Sequence, residues 1–264
     1  MKEVITFLTF NDPSNTASVQ QVIDMHTKRL NGKVLISASL DNHFIWKGSR
    51  LDMYLVTSFP NDDSCKTFAE TLASISELDH VCCFLSKRGY RTIAYIMHLL
   101  GKLLYRAQPS EPIDEECIVE HIRGKEQIWF TDTTFKQALQ QPLDTPMHIV
   151  TFNDYRDQAL YAEGTYSAAS GKDAYNTRYG NAAILLALRH GAHPVYLSTK
   201  VTLLYASDNH PLDQKWNDFQ VNAYVTRRDF FQLIQSDGYA KASEHRTAAL
   251  NTSFIQCSTV HDVD

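Results

Sequence analysis

The sequence has little excess charge of either sign and no long uninterrupted apolar run. Its 25 lysines and arginines against 30 aspartates and glutamates give a formal net charge of -5, so it lacks the basic excess typical of nucleic-acid-binding proteins. The longest apolar run, residues 93–104, is interrupted by His98, Gly101 and Lys102 and is shorter than the roughly 20 residues of a membrane span. The first 13 residues lack the basic and apolar regions of a signal peptide. We therefore expect a cytoplasmic protein with no nucleic-acid and no membrane partner.

The sequence also lacks the common signatures of metal, nucleotide and hydrolase sites. Its five cysteines, an odd number, occur without CxxC spacing, which favours reduced thiols over disulfides or a zinc site. His190 and His193 do not have the spacing of zinc ligands on a helix. No glycine-rich phosphate loop, no Gly-x-Ser-x-Gly turn and no paired Cys-His motif is present. We therefore expect no metal and no cofactor.

The strongest positive feature is an internal repeat. Residues 7–12 (FLTFND) recur as residues 149–154 (IVTFND), each an apolar run closed by an Asn-Asp turn signal. Apolar residues at helical spacing follow each copy, over 19–30 and 175–189. Both predicted helices end at a glycine, Gly32 and Gly191, which permits a left-handed C-cap. The repeat predicts two units that begin with a strand and a helix.

The remaining segments can be aligned between the two copies. Extended patterns predict strands two and three, over 34–40 and 53–59 in the first copy and 194–205 and 219–225 in the second. Helices are predicted over 65–75, 77–85, 229–236 and 239–250, and closing strands over 91–97 and 253–258. The order βαββαβ, twice, is the ferredoxin-like signature of the α+β class.

These elements predict a first ferredoxin-like unit over 1–107 and a second over 146–264. Between them lies a linker, 108–145, with a short amphipathic helix over 132–139, and the second unit carries an inserted loop, 155–172. A βαββαβ unit has helices on one sheet face only, so the other face needs a cover. The second copy is the obvious cover, and tethering makes the association intramolecular. We expect two antiparallel sheets packed as an internal pseudo-dimer, an α/β-barrel, in a monomer or a homodimer of it.

Three segments carry a resemblance to a known family. They are Trp216-Asn217-Asp218, the stretch 224–227 (YVTR) and the stretch 244–250 (EHRTAAL), and the chain resembles the dimeric α/β-barrel superfamily over residues 121–259. Within it the sequence is similar to an uncharacterised domain-of-unknown-function group, related to antibiotic-biosynthesis monooxygenase-like and EthD-like proteins. Asn217 stands where that group has Asp. The resemblance implies a fold that serves cofactor-independent oxygenases, isomerases and haem-binding proteins.

The candidate catalytic residues are His245 and Asn153. His245, flanked by Glu244 and Arg246, could act as a general base tuned by a carboxylate. Consecutive helical residues point to different sides, however, so a surface trio of charged side chains is the alternative. Asn153 closes the first strand of the second unit and offers an orienting amide.

The candidate ligand-binding residues also lie in the second unit. Tyr175 and Tyr179 are four residues apart and share a helix face. Arg178 could converge with them and with Asn153 at one end of the second sheet. Tyrosine hydroxyls could orient a ligand in an apolar pocket, although aromatic core packing explains them equally well. Trp216 and Asp218 at the start of strand three complete the set, and for Trp216 a packing role is the alternative.

The sequence leaves three functional hypotheses open. The first is a protein that binds a small apolar or aromatic molecule between helix and sheet of the second unit, with cofactor-independent oxygenase or isomerase chemistry as its concrete version. The alternative is a non-catalytic interaction or stress-related module whose barrel is filled by side chains. A third, haem binding, requires a histidine over an open cavity. Whether the protein is an enzyme stays open.

Overall fold

The computed structural model describes residues 1–40, 50–89, 91–105, 112–162 and 165–261. Within them, eight strands pair entirely antiparallel. The strands are β1 (Lys2–Phe10), β2 (Lys33–Leu40), β3 (Met53–Phe59), β4 (Leu78–Arg88), β5 (Met147–Tyr155), β6 (His193–Ala206), β7 (Asp218–Tyr224) and β8 (Leu250–His261).

Helices cover the outside of the strands. They are α1 (Thr16–Arg29), α2 (Asp62–Ala73), α3 (Arg91–Leu104), α4 (Glu115–Ile122), α5 (Asp132–Leu139), α6 (Gly171–Asp173), α7 (Gly180–Arg189), α8 (Arg227–Gln235) and α9 (Asp237–Ala249). A π-helical segment, Ala174–Tyr179, joins α6 to α7. Helices α1 and α7 are each followed by a residue in the left-handed backbone conformation. These residues are Asn31, with φ of 54°, and Gly191, with φ of 72°.

The strands close into one barrel in the order β1-β3-β2-β8-β5-β7-β6-β4. Around the barrel, the first four strands lie in the order β4-β1-β3-β2, and the last four follow in the matching order β8-β5-β7-β6. Pairing of β2 with β8 and of β4 with β6 joins the two sets. The fold is therefore a mixed α+β barrel with a single antiparallel eight-stranded sheet, and each set follows the strand order of a ferredoxin-like unit. That the sets arose by duplication stays a prediction.

The interior of the barrel is filled by side chains from both halves. Phe152 of β5 lies with its ring centroid 5.6 Å from that of Phe7 of β1 and 4.7 Å from that of Phe219 of β7. Phe254 contacts the same group and all four are fully buried. Aromatic side chains of this size contribute the largest buried apolar areas in a core. A ligand cavity therefore has to lie outside the part of the barrel interior that these rings fill.

Two predicted elements of the first half are wrong. The helix predicted over 77–85 is the strand β4, which pairs with β1 on one side and β6 on the other. The closing strand predicted over 91–97 is the start of helix α3. The run Val81–Phe84 is fully buried within the sheet, and a continuous buried run of this length has no periodicity that separates strand from helix. Aligning this segment with the predicted helix 239–250 of the second copy therefore gives the wrong type for both elements.

Helix α3 exposes much of its apolar surface. Ile96 and Leu99 are each 48% exposed and Leu103 is 79% exposed. The helix packs with its other side on β6 and α7, where Gly101 allows close approach to Leu188. Among the described residues, no helix combines the length and the apolar character that a membrane span requires.

The segment between the two sets of strands packs on the second set. Side chains of α4 and α5 join the same buried cluster as β5, β8 and α8, with Ile118 and Phe135 fully buried. A helix covers Asp132–Leu139, with Thr131 as its N-cap. Residues 108–111 of the predicted linker, and Glu163 and Gly164 of the predicted inserted loop, lie outside the described residues. The division of the chain at 107 and 146 stays a prediction.

Candidate ligand-binding site

A cavity of about 310 Å³ lies between the outer face of the second set of strands and the helices that cover it. Its sheet side consists of residues of β5, β7 and β8, which alternate with the residues that fill the barrel, and of the first two residues of β6. Its helix side comes from the π-helical segment, α7, α8 and α9, with one side chain from α3 and one from the linker. Lining residues include Met97, Trp129, Ile149, Thr151, Tyr175, Tyr179, Ala183, Ala187, Leu188, His193, Gln220, Asn222, Tyr224, Phe230, Tyr239, Arg246 and Ile255.

The cavity exists because small side chains face a partly polar sheet. Gln220 and Asn222 of β7 point outward at the positions where a covering helix usually meets apolar side chains. Opposite them, α7 presents Ala183 and Ala187. Alanine side chains are too short to fill the space between a helix and a sheet, which larger apolar side chains fill in a close-packed interior. The open volume follows from the sequence of these two elements.

Arg246 brings a positive charge into this space. It lies on the face of α9 that is buried against the sheet, together with Tyr239 and Ala242, and is 2% exposed. One guanidinium nitrogen donates to the carbonyl oxygen of Ile128 at 2.6 Å, and another donates to the hydroxyl of Ser253 at 2.9 Å. The guanidinium therefore stays at a fixed position against the sheet.

A buried polar network continues from Arg246 along the sheet. The Ser253 hydroxyl lies 3.1 Å from the side-chain oxygen of Asn153, and the Asn153 amide donates to the Asp218 carboxylate at 3.0 Å. Tyr155 donates its hydroxyl to the other oxygen of Asp218. Antiparallel register produces this arrangement, because Asn153 is directly opposite both Asp218 and Ser253. Such a network fixes the orientation of every member.

Burial decides the titration of the network. It raises the pKa of the Asp218 carboxyl to about 6, although hydrogen bonds from Tyr155, Asn153 and Gln220 lower it. Burial also raises the pKa of Tyr155 and Tyr175, and Arg246 acts against the rise in both. The tyrosines therefore remain neutral hydroxyls near pH 7, whereas Asp218 is an acid that can titrate close to neutrality.

Tyrosine hydroxyls gather on the helix side of the cavity. The hydroxyls of Tyr179 and Tyr239 lie 3.0 Å apart, and the ring centroids of Tyr175 and Tyr179 lie 5.0 Å apart. The π-helical backbone brings both Tyr175 and Tyr179 to the cavity, and such segments often occur at functional sites. These groups can donate to or accept from a ligand without carrying a charge.

Of the predicted site residues, four come together here. Tyr175 and Tyr179 line the cavity, and Asn153 and Asp218 lie directly behind Tyr155 and Tyr175 in the buried network. Neither Asn153 nor Asp218 is among the residues that line the cavity. Their placement suits support of the wall, whereas the catalytic role predicted for Asn153 and the binding role predicted for Asp218 stay predictions.

His245 and Arg178 form a separate cluster on the loop 155–172. The Nδ1 atom of His245 lies 3.0 Å from the hydroxyl of Tyr161, and the guanidinium of Arg178 lies 5.1 Å from the centroid of the same ring. Tyr166 packs against both. Burial and Arg178 lower the pKa of His245, and Glu244 raises it. Neither His245 nor Arg178 lines the cavity, so the site predicted to contain all seven residues is divided.

Trp216 lies in the barrel interior. Its ring is stacked on Phe152 at 5.4 Å, and its indole nitrogen donates to the carbonyl oxygen of Leu212 at 3.1 Å. With 4% exposure it has no surface toward the cavity outside the sheet. This geometry is that of a packing role, which is the alternative to ligand binding for Trp216.

His193 is the histidine among the lining residues. Its ring lies 4.4 Å from that of His98 on α3, and burial lowers its pKa, with His98 acting in the same direction. In the described part of the chain, no group of three or more His, Cys, Asp and Glu side chains could hold a metal ion. A haem would need an axial ligand such as His193, and the absorption spectrum of the purified protein tests that hypothesis.

Most of the lining residues are not among the predicted site residues, including Arg246, Trp129, Gln220 and Asn222. In the sequence, Arg246 is noted only as a neighbour of His245. Gln220 and Asn222 alternate with Phe219 and Val221, a pattern typical of a sheet face in contact with water. The signal that could have found Arg246 is its helical spacing from Tyr239 and Ala242, which places it on the buried face.

No family model matches the sequence, and no curated protein matches it. Among solved structures, the chain is similar to a protein of unknown function from Rhodopseudomonas palustris, with 23% identity, a TM-score of 0.42, and coverage of 50% of this chain and 94% of that one. It is also similar to chlorite dismutase from Candidatus Nitrospira defluvii in complex with imidazole, with 11% identity, a TM-score of 0.47, and coverage of 98% of this chain and 90% of that one. At such identities and TM-scores, the fold assignment rests on the strand order of this chain alone.

Proposed function

We propose that the protein binds a small, largely apolar aromatic molecule in the cavity between the second set of strands and α7, α8 and α9. The observation that carries the proposal is the cavity itself, with apolar walls and a few fixed polar groups, which is the usual composition of a small-molecule site. Ile149, Ile255 and Leu188 supply apolar walls, while Asn222 and Arg246 supply polar contacts.

The size of the cavity limits the ligand. An engineered apolar cavity of about 150 Å³ holds one benzene molecule, and this one has about 310 Å³. A molecule with two fused rings therefore fits without rearrangement. Aromatic side chains at Trp129, Tyr175 and Phe230 offer edge or face contacts to such rings.

The enzymatic version of this proposal is oxygenase or isomerase chemistry without a cofactor. The lining groups that could move a proton are the tyrosine hydroxyls, of which those of Tyr179 and Tyr239 are paired, and the imidazole of His193. No carboxylate is among the lining residues that the structure describes. The geometry therefore supports binding more directly than catalysis, and turnover would have to depend on these hydroxyls and the imidazole.

The alternative is a non-catalytic module, and the filled barrel interior favours it. The rings of the four central phenylalanines pack against one another between the two halves, as that hypothesis requires. It differs from the main proposal in what it expects of the outer cavity, which would then hold no ligand.

Calorimetric titration with two-ring probes tests the proposal. The probes are indole, 1-naphthamide and 1-naphthoate, of which the last is anionic. Binding of at least one probe at micromolar to millimolar concentration is expected, and it should weaken about tenfold or more in Ala183→Leu, whose longer side chain occupies the cavity.

The control variant is Ala182→Leu, the exposed neighbour on the same helix. It has the same change in composition and helix propensity but adds nothing to the cavity, so its affinity should stay within about twofold of the parent. If none of the three probes binds, or if both variants bind as the parent does, the proposal is wrong.

A further inference from the structure

Arg246 is a buried cation whose contacts are all with neutral groups. Its hydrogen-bond acceptors are the carbonyl oxygen of Ile128 and the hydroxyl of Ser253, and its flat face lies on the Trp129 ring at 4.3 Å. Among the described residues, no carboxylate oxygen comes within 4.0 Å of its nitrogens. A guanidinium that is 2% exposed and has no anion beside it is an unusual arrangement, because burying an unpaired charge is unfavourable.

The nearest link from Arg246 to a carboxylate runs through two neutral residues. Ser253 and Asn153 separate the guanidinium from Asp218, and Asp218 is already bonded to Tyr155, Asn153 and Gln220. The carboxylate is thus held away from the guanidinium by the register of the strands. These hydrogen bonds hold the carboxylate on the Asn153 side of the network.

The guanidinium has donors to spare. It carries five N–H groups in a planar fork, and the two hydrogen bonds to neutral oxygens account for two of them. Arg246 lines the cavity, so a ligand in the cavity can approach the fork. A planar carboxylate matches that fork and forms charge-assisted hydrogen bonds that are stronger than those to neutral acceptors.

We infer that the ligand of this cavity is an aromatic carboxylate, with its rings against the apolar walls and its carboxylate paired with Arg246. The inference rests on the proposed function and adds the chemical class of the ligand. Trp129 holds the guanidinium from one side, while Ile128 and Ser253 fix its rotation, so the positioning of the cation precedes binding. A site prepared in this way loses little entropy when the anion enters.

The test compares an anion with a neutral molecule of the same shape. In calorimetric titrations, 1-naphthoate should bind the wild-type protein about tenfold or more tightly than 1-naphthamide. In Arg246→Met the preference should fall to about twofold or less, because methionine replaces the apolar stem of the arginine but carries no charge. Arg189→Met, an exposed arginine on α7, should keep the wild-type preference.

A second variant guards against misfolding. Arg246→Lys keeps the charge without the fork and should retain part of the preference. If neither variant at position 246 folds, the comparison of naphthoate with naphthamide in the wild-type protein decides, together with the Nε–Hε resonance of Arg246, which should shift with naphthoate and not with naphthamide.

The outcomes separate this inference from the proposed function. Equal affinity of the wild-type protein for both probes overturns the anion preference and leaves a binding cavity. A preference that survives in Arg246→Met overturns it too, since the anion is then recognised elsewhere. Failure of both naphthyl probes to bind overturns this inference, and the proposed function is overturned with it if indole also fails to bind.

Discussion

The guanidinium of Arg246 lies over the ring of Trp129, with 4.3 Å between its central carbon and the ring centroid. Arg246 belongs to α9, and Trp129 belongs to the segment between the two sets of strands. The contact therefore joins the linker to the covering helix at the wall of the cavity. A cation over a tryptophan face that is shielded from water contributes more than an exposed pair, so the linker is part of the site's architecture.

Asn153 should matter for stability as the centre of the buried network. Asn153→Ala removes the bonds to Asp218 and Ser253, and leaving buried polar groups without partners costs about 2–3 kcal/mol. Urea unfolding measures the change. The control, Asn251→Ala, removes an exposed amide that contacts Asp154. If it lowers the free energy of unfolding as much as Asn153→Ala does, the buried network does not have the importance assigned to it.

Asp218 should make the protein less stable as the pH rises from about 4 to about 6. Its folded-state pKa is raised from 3.8 to about 6, so in this window the folded protein keeps a proton that the unfolded chain has lost. The stabilisation is complete below pH 4 and is lost through pH 6, by on the order of 2–3 kcal/mol. Urea unfolding at pH 4.5 and 7 should show this loss in the wild-type protein relative to Asp218→Asn. Parallel pH profiles for the two proteins would contradict it.

His148 should act in the opposite direction over the same range. Burial, together with the neighbouring His193, lowers its pKa from 6.5 to about 4. As the pH falls from 6.5 to 4 the unfolded chain takes up a proton that the folded protein refuses, so the free energy of unfolding falls. His148→Gln should remove this acid sensitivity, on the order of 2 kcal/mol. His26→Gln, which replaces a partly exposed histidine on α1, is the control. A variant at 148 with unchanged acid sensitivity would be evidence against burial of a neutral imidazole.

Trp216 and Trp129 form a matched pair of substitutions. Trp216→Phe should destabilise the barrel core by about 1–2 kcal/mol, because it leaves a void beside Phe152 and an unsatisfied carbonyl at Leu212. Its affinity for 1-naphthoate should stay within about twofold. Trp129→Phe should instead weaken that affinity several-fold, since Trp129 lines the cavity and supports Arg246. Equal effects of the two substitutions on affinity would refute the assignment of Trp216 to the core.

The sequence predicts the second half of the fold better than the first. The strands predicted over 194–205 and 219–225 agree with β6 and β7 to within one residue at each end, and the helix over 132–139 coincides with α5, because each has a clear pattern between turn or cap residues. The order of β4 and α3 was wrong because both are apolar runs without decisive periodicity, and only pairing of β4 with β1 and β6 distinguishes them. Long-range pairing of this kind is not present in any local window of sequence.

The site was predictable in its parts and not in its assembly. Tyr175 and Tyr179 could be identified from their spacing on one helix face. Arg246 could be placed on the buried face of α9, but the absence of a carboxylate beside it depends on the register that holds Asp218 against Asn153. The sequence favours His245 as a general base because histidine often has that role, whereas the structure places it with Tyr161 away from the cavity.

A crystal structure of the protein with 1-naphthoate tests the central claim most directly. We predict density for the two rings between Ile255 and Tyr175, with the carboxylate oxygens about 3 Å from the Arg246 nitrogens. Density for the probe at another place, or a cavity without the probe at concentrations that saturate the calorimetric titration, would contradict the account.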